Sequence, residues 1–360
     1  MTSKFAHCAF ALALFVIFVP PASPVESPKG AAEVITVNGD TEYVHDPSII
    51  KDGETWYLFS TGNGPHRNGE LPIRCSKDLH EWKLCGHVFD QIPEWIKKES
   101  AQTKELWAPD ISFFNGEYHL YYAFSVFGKN TSGIALLTNK TLDTHSPNFH
   151  WEDRGLVLQS HLEDDYNSID PNLVLDEKRG AWLAFGSFWS GIKMRRIDPQ
   201  TGRLSAADTT LYSLARRKRP DNPLPNPPGL PGNWQAVEAP FVVHHGEYFY
   251  LFVSFDLCCR GTKSNYKTMV GRSSNVAGPY VDARGTPMME GGGTSLLLGN
   301  DRWIGPGGES VSMGKNKDAD IIVFHAYDGK TGDAYLQLST IDWTGGWPHV
   351  ALEGGNPANK

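Results

Sequence analysis

The chain has 360 residues, a formal charge of −8 and 40% hydrophobic residues, enough to bury at least one sizeable core. The negative balance argues against nucleic acid as a partner. Eleven Trp, 13 Tyr and 18 Phe bring the aromatics to 12%, a content that serves both core packing and sugar stacking.

The first predicted element is a targeting segment. Lys4 precedes the apolar run FALALFVIFV, Phe10 to Val19, and small and Pro residues follow in PPASP, Pro20 to Pro24. The pattern reads as a secretory signal over residues 1–23 and is too short to span a membrane comfortably. Residues 24–39 read as the leader of the mature chain, which is expected to be secreted, free of the membrane and monomeric. Two sequons, Asn130-Thr131-Ser132 and Asn139-Lys140-Thr141, suit a glycoprotein of a secretory route.

Next comes a repeated β unit. DPSIIKDGETWYLFSTG begins at Asp46 and APDISFFNGEYHLYYAFS at Ala108. DPNLVLDEKRGAWLAFGSF begins at Asp170, EAPFVVHHGEYFYLFVSF at Glu238 and GPGGESVSMGKNKDADIIVFHAYD at Gly305. Each copy holds a Pro, a short strand, a polar turn and an alternating aromatic strand. The prolines, at 47, 109, 171, 240 and 306, are spaced by 62, 62, 69 and 66 residues. Five such units predict radial repetition: an all-β, five-bladed β-propeller over residues 40–350 with a tail at 351–360.

In a propeller the first strand of each blade lies beside the central channel. Asp46 and Asp170 immediately precede their prolines and Glu238 stands two before its own. The three carboxylates are therefore expected to converge at one end of the channel. A lone Asp-Pro is a turn former; three acids at matching repeat positions point to paired acid and base chemistry.

These segments resemble the arabinanases of glycoside hydrolase family 43. The likeness is carried in order by VHDPSI at Val44, LWAPDI at Leu106, SIDPNL at Ser168 and FGSFWSGIK at Phe185. It continues through EAPF at Glu238, CCRG at Cys258, GRS at Gly271 and GGGT at Gly291. The resemblance implies a five-bladed propeller that cuts α-1,5-linked L-arabinofuranose chains with inversion. Asp46 matches the general base, Glu238 the general acid, and Asp170 the carboxylate that tunes the acid. Gly128, Asn167, Ser187, Phe188 and Trp189 match residues around the bound sugar, and Trp107 would form a wall nearby. No cofactor is implied for the chemistry. A structural Ca²⁺ in the channel is implied near a histidine, for which His325 is the candidate; the bland reading is a channel histidine. Where many members have Gly-Pro-Gly-His, this chain has Gly305-Pro306-Gly307-Gly308, which weakens that ion site.

Once the signal is removed, four cysteines remain. Cys75 and Cys85 could close a short hairpin. Cys258 and Cys259 are adjacent, with Cα atoms about 3.8 Å apart, short of the usual disulfide range. Beside the CCRG resemblance they are expected to form a vicinal disulfide at the sugar site. The basic, Pro-rich stretch from Arg216 to Pro231 reads as a solvated loop, or as a rim for the acidic backbone of pectin. Alternatives remain open: an exo-acting arabinofuranosidase or xylosidase on the same fold, or a non-catalytic carbohydrate-binding propeller.

Overall fold

The computed structural model describes residues 31–62, 69–176, 180–218, 235–315 and 318–359; the expected signal lies outside them. Among the described residues the strands form five blades in the predicted order, antiparallel except for the short strand Asn38–Gly39, which runs parallel to Glu81–Phe89. Blade one comprises Val44–Asp52, Thr55–Gly62, Glu70–Ser76 and Glu81–Phe89. Blade two comprises Leu106–Phe114, Glu117–Phe124, Ser132–Asn139 and Glu152–Ser160. Blade three is Asn172–Asp176, Gly180–Phe185 and Ile192–Asp198, with the short edge pieces Arg203–Leu204 and Tyr212–Ala215. Blade four is Val237–His245, Tyr248–Phe255, Lys267–Ser273 and Thr294–Leu297.

Blade five is closed by the other end of the chain. Trp303–Ser312, Ile321–Asp328 and Ala334–Asp342 are completed by Val34–Ile35, which pairs antiparallel with Ala334–Asp342. Residues expected in a leader therefore build the sheet. The expected tail is also tied down: Asn356 is buried and its amide donates to the Leu296 and Val350 carbonyls.

The alternating pattern of each blade puts apolar side chains on both faces, and neighbouring blades bury them against each other. Five apolar clusters result. Tyr57, Phe59, Leu120 and Tyr122 join blades one and two. Tyr121, Leu136, Leu183 and Phe185 join two and three. Met194, Leu214, Leu251 and Phe255 join three and four. Phe252, Val270, Ile322 and Phe324 join four and five, and Leu58, Trp82, Val323 and Leu336 close the ring from five to one.

Arg74 secures that closure. It is buried, and its guanidinium donates to the Asp40 carbonyl (2.6 Å), the Ser60 hydroxyl (2.9 Å) and the Glu42 carbonyl (3.2 Å). Arg74→Met keeps the stem but strands two carbonyls, each costing on the order of 1–3 kcal/mol when unpaired. Chemical denaturation should show a loss of about 2–4 kcal/mol; an unchanged midpoint would mean the segment is held by its strand pairing alone.

The repeat proline has a structural purpose. The residues before it, Asp46, Ala108, Asp170, Ala239 and Gly305, all have left-handed φ, at 46°, 44°, 55°, 52° and 58°. The ladder slips at four of these places, between His45 and Ser48, Trp107 and Asp110, Glu238 and Phe241, and Ile304 and Gly307. In blade three the pair leads directly into the strand that starts at Asn172. Such bulges re-aim side chains out of the sheet's alternation. Here they turn the innermost strands at one end of the channel.

Both sequons are structural instead of presented to solvent. Asn130 is buried and its amide nitrogen donates to the carbonyls of His161, Asp164 and Tyr166. Asn139 is also buried, with Oδ1 accepting from the backbone of Thr141 and His150. A glycan on either amide would have no path to water in the folded chain, so the glycoprotein expectation is corrected.

Candidate active site

Asp46, Asp170 and Glu238 meet at one cleft of ≈ 610 Å³. The same cleft is lined by Trp107, Gly128, Asn167, Ser187, Phe188, Trp189, Cys258 and Cys259. Trp107 and Trp189 are half-buried, and Phe127 on the same wall is 81% exposed. Both disulfides are present, Cys75–Cys85 across the outer strands of blade one and Cys258–Cys259 in the loop after Phe255.

Each carboxyl is held by a specific donor. The Thr61 hydroxyl donates to Asp46 Oδ2 (2.8 Å) while accepting the Ala108 N–H (2.8 Å). That backbone bond leaves the single hydroxyl proton directed at Asp46. Asp170 Oδ2 accepts the Ala239 N–H at 3.0 Å. Glu238 Oε2 accepts the Ser187 hydroxyl at 2.7 Å, and Tyr266 lines the same cleft. Ser187 is carried by a tight turn in which Phe188 and Trp189 have left-handed φ of 58° and 43°, and the Phe188 N–H donates to the Val237 carbonyl. Such strain persists only where surrounding contacts fix it. Asn167 is fixed by the Ser132 hydroxyl at 2.7 Å.

Burial dominates the electrostatics. It pushes Asp46 up to about 7, against the Thr61 bond and with a smaller push from Glu238. It lifts Asp170 well above the carboxylate range, helped by the charges of Glu238 and Asp46. Glu238 is raised by the same desolvation, opposed by Ser187 and Tyr266. The expectation that Asp170's charge is what raises Glu238 therefore changes: desolvation is the leading cause, and Asp170 is itself among the groups lifted. Asp170 and Glu238 lie close enough that the charge of one raises the proton affinity of the other.

His325 lies beneath this floor and is fully buried. Its Nδ1 accepts the Asp46 N–H (3.3 Å) and its Nε2 lies 3.4 Å from the Tyr327 hydroxyl. Burial holds it well below the usual histidine range, so the ring is neutral. Both nitrogens are engaged within the protein, and a Cβ on Gly308 would stand 2.8 Å from the ring. Among the described residues no group of three or more His, Cys, Asp or Glu is arranged to hold a metal ion. His325 therefore stands as a buried channel histidine engaged by the protein.

Several residues of the site carried no signal in the repeat. Tyr327 links three parts of the site: its hydroxyl accepts the Cys259 N–H (2.7 Å) and contacts His45 Nε2 (3.1 Å) and His325. It stands two residues after His325 on the same strand, so period-two alternation could have suggested it. Thr61 belongs to a second strand and Tyr266 directly precedes a third, and the site residues they stand beside lie across the sheet or on another blade. In the basic stretch, Arg217 pairs with Asp256 (3.0 Å) and covers Phe255, and Arg216 donates to the Met289 carbonyl. From residue 219 the stretch lies outside the described residues. No helix among the described residues is long and apolar enough to cross a membrane.

A propeller that gathers three carboxyls at an aromatic-walled cleft has the layout of a glycoside hydrolase. Residues 40–348 match the family described as Glycosyl hydrolases family 43. An extracellular endo-α-(1→5)-L-arabinanase of Bacillus subtilis is 39% identical over 348 residues, covering 96% of this chain and 97% of its own. An extracellular exo-α-(1→5)-L-arabinofuranosidase of Cellvibrio japonicus is 41% identical over 317 residues, with 85% and 86% covered. The solved GH43 endo-arabinanase from Bacillus licheniformis is 42% identical, covers 87% of this chain and 99% of its own, and has a TM-score of 0.75. The chain belongs to glycosyl hydrolase family 43, and it is an enzyme similar to the endo-arabinanases.

Proposed function

We propose that the protein hydrolyses α-1,5-L-arabinofuranosidic bonds of arabinan, the side chains of pectin, outside the cell. It cuts within the chain and inverts the anomeric centre. The observation that carries this is the meeting of Asp46, Asp170 and Glu238 on the floor of one cleft. Glu238 is the general acid that protonates the departing sugar oxygen. Asp46 is the general base that takes a proton from the attacking water on the opposite face. Asp170, held by the Ala239 N–H, keeps the acid in place and shares the proton load of the set. Trp107, Trp189 and the Cys258–Cys259 bridge offer apolar faces to furanose rings. The proton transfers need no metal ion.

An exo mode is the second reading, since the exo-acting relative is as similar as the endo-acting one. Debranched linear arabinan decides between them. Early formation of an oligomer ladder is expected; one small product from the start would mean end-directed cutting. Proton NMR of the first product should show the β anomer. Predominantly α product would mean a covalent intermediate and overturn water attack.

A further inference from the structure

The hydroxyl of Tyr327 stands where three blades meet at the cleft, and the reaction just described gives it no task. Tyr327 is 2% exposed and belongs to the Ile321–Asp328 strand of blade five. Its oxygen accepts the Cys259 N–H (2.7 Å) from the loop that follows Phe255 of blade four. It lies 3.1 Å from His45 Nε2 on blade one and 3.4 Å from His325 Nε2 on its own strand. His325 Nδ1 in turn faces the Asp46 N–H at 3.3 Å. Through one oxygen, the Cys258–Cys259 loop and two imidazoles are joined to the backbone of Asp46.

The direction of every bond in this cluster follows from one donor. A backbone N–H can only donate, so the Asp46 N–H requires a bare lone pair on His325 Nδ1. A charged ring has no such lone pair, and a neutral one carries a single proton, which must then sit on Nε2. That N–H faces Tyr327 and donates to its oxygen. The Cys259 N–H fills the second lone pair of the hydroxyl, which has only two. Tyr327 therefore directs its one proton at His45 Nε2, which accepts. His45 carries its own proton on Nδ1, an atom that is buried without a hydrogen-bond partner among the described residues. Reversing His325 would set its Nδ1 proton against the Asp46 N–H. Reversing His45 would bring a third donor to an oxygen with two lone pairs.

Asp46 needs such an anchor. Its φ of 46° is left-handed, a conformation that a residue other than glycine keeps only where its surroundings fix it. Thr61 fixes the carboxyl and the His325 ring fixes the peptide. That ring is itself fully buried, and its Nε2 proton is received by Tyr327. We propose that Tyr327 is a positioning residue for the general base. Its hydroxyl sets the tautomer and angle of His325, and His325 holds the Asp46 backbone so that the carboxyl meets the attacking water. The same oxygen ties the base to the Cys258–Cys259 wall of the cleft, so wall and base keep one spacing. Tyr327 acts through His325 and moves no reacting proton. This role rests on Asp46 being the general base.

Tyr327→Phe keeps the ring that packs edgewise on His325, with centroids 5.5 Å apart, and removes only the hydroxyl. It should lower kcat by on the order of 10- to 100-fold, the scale of a misplaced reacting group, and leave KM near its wild-type value. Arabinan and an oligomer with an acidic aryl leaving group should lose the same factor, since the base serves both. A loss confined to KM would mean that the hydroxyl serves only the sugar-side wall, and would overturn the proposal. Asp46→Asn supplies the second comparison: with the base gone, adding Tyr327→Phe should cost little more. The full Tyr327→Phe loss repeated in that background would also overturn it.

A histidine ¹⁵N NMR spectrum of the full protein tests the bond directions without turnover, with signals assigned from His45→Gln and His325→Gln. In the wild type, His325 should carry its proton on Nε2 alone and His45 on Nδ1 alone. In Tyr327→Phe, His45 should lose that single form and show protonation at Nε2. A proton on His325 Nδ1 would deprive the Asp46 N–H of its acceptor and sink the proposal, whether or not any variant folds. A wild type with the expected tautomers but inert on arabinan would sink the functional reading and leave the anchoring of Asp46 standing.

Discussion

Glu238→Gln should lose on the order of 10²–10⁴-fold in kcat/KM on linear arabinan, the range that proton donation contributes. An arabinan oligomer with an acidic aryl leaving group should keep much more of its rate, since that group departs without a proton. The substitution suits the site: Gln can still accept from Ser187, so the cleft should keep its shape. Asp46→Asn should lose a comparable factor on both substrates, because water needs its base whatever departs. Thr61 will fix the amide oxygen, since its hydroxyl proton is already directed at this position by the Ala108 N–H. Measuring both variants on both substrates, with folding checked by circular dichroism, separates the roles. Rescue of Asp46→Asn by the aryl group would exchange acid and base.

The blades were legible because proline spacing is local. Each repeat Pro follows a residue with left-handed φ, and at four of the five the ladder breaks there too, so the feature recurs in sequence nearly as regularly as in space. The three carboxyls were legible for the same reason, although Glu238 stands one residue earlier than Asp46 and Asp170 relative to its Pro. What could not be read depends on partners distant in sequence. Val34–Ile35 is two residues long, and only its pairing with Ser339 and Leu338 makes it a strand. Tyr266 becomes part of the site only because the fold sets it on the cleft with Asp46 and Glu238, neither of them a neighbour in sequence. Asn130 matches a sequon in text, yet three carbonyls from the 161–166 segment bury it. Local chemistry does not reveal which polar side chains the fold has already used.

Gly308 illustrates a departure whose cause is spatial. The family pattern would put a histidine here. Its φ is 60°, and a Cβ would stand 2.7 Å from Asp46 Oδ1 and 2.8 Å from His325 Cε1 and Nδ1. Neither neighbour is a loose end: Thr61 holds the Asp46 carboxyl, and the His325 ring is buried against the Asp46 N–H and Tyr327. Gly308→Ala must therefore displace the base or the ring beneath it. A displacement of about 1 Å costs roughly 10²-fold in rate, and a side chain at left-handed φ adds about 1–3 kcal/mol of strain. Both arabinan and the aryl substrate should lose that rate together, since the base serves both, and thermal unfolding should fall accordingly. Gly308→His should be worse, because two imidazoles would compete for one volume. Combining it with His325→Ala vacates that volume, so the double variant should unfold at a higher temperature than Gly308→His alone. If the double variant gains nothing, the left-handed backbone at 308 sets the glycine, and crowding by His325 does not.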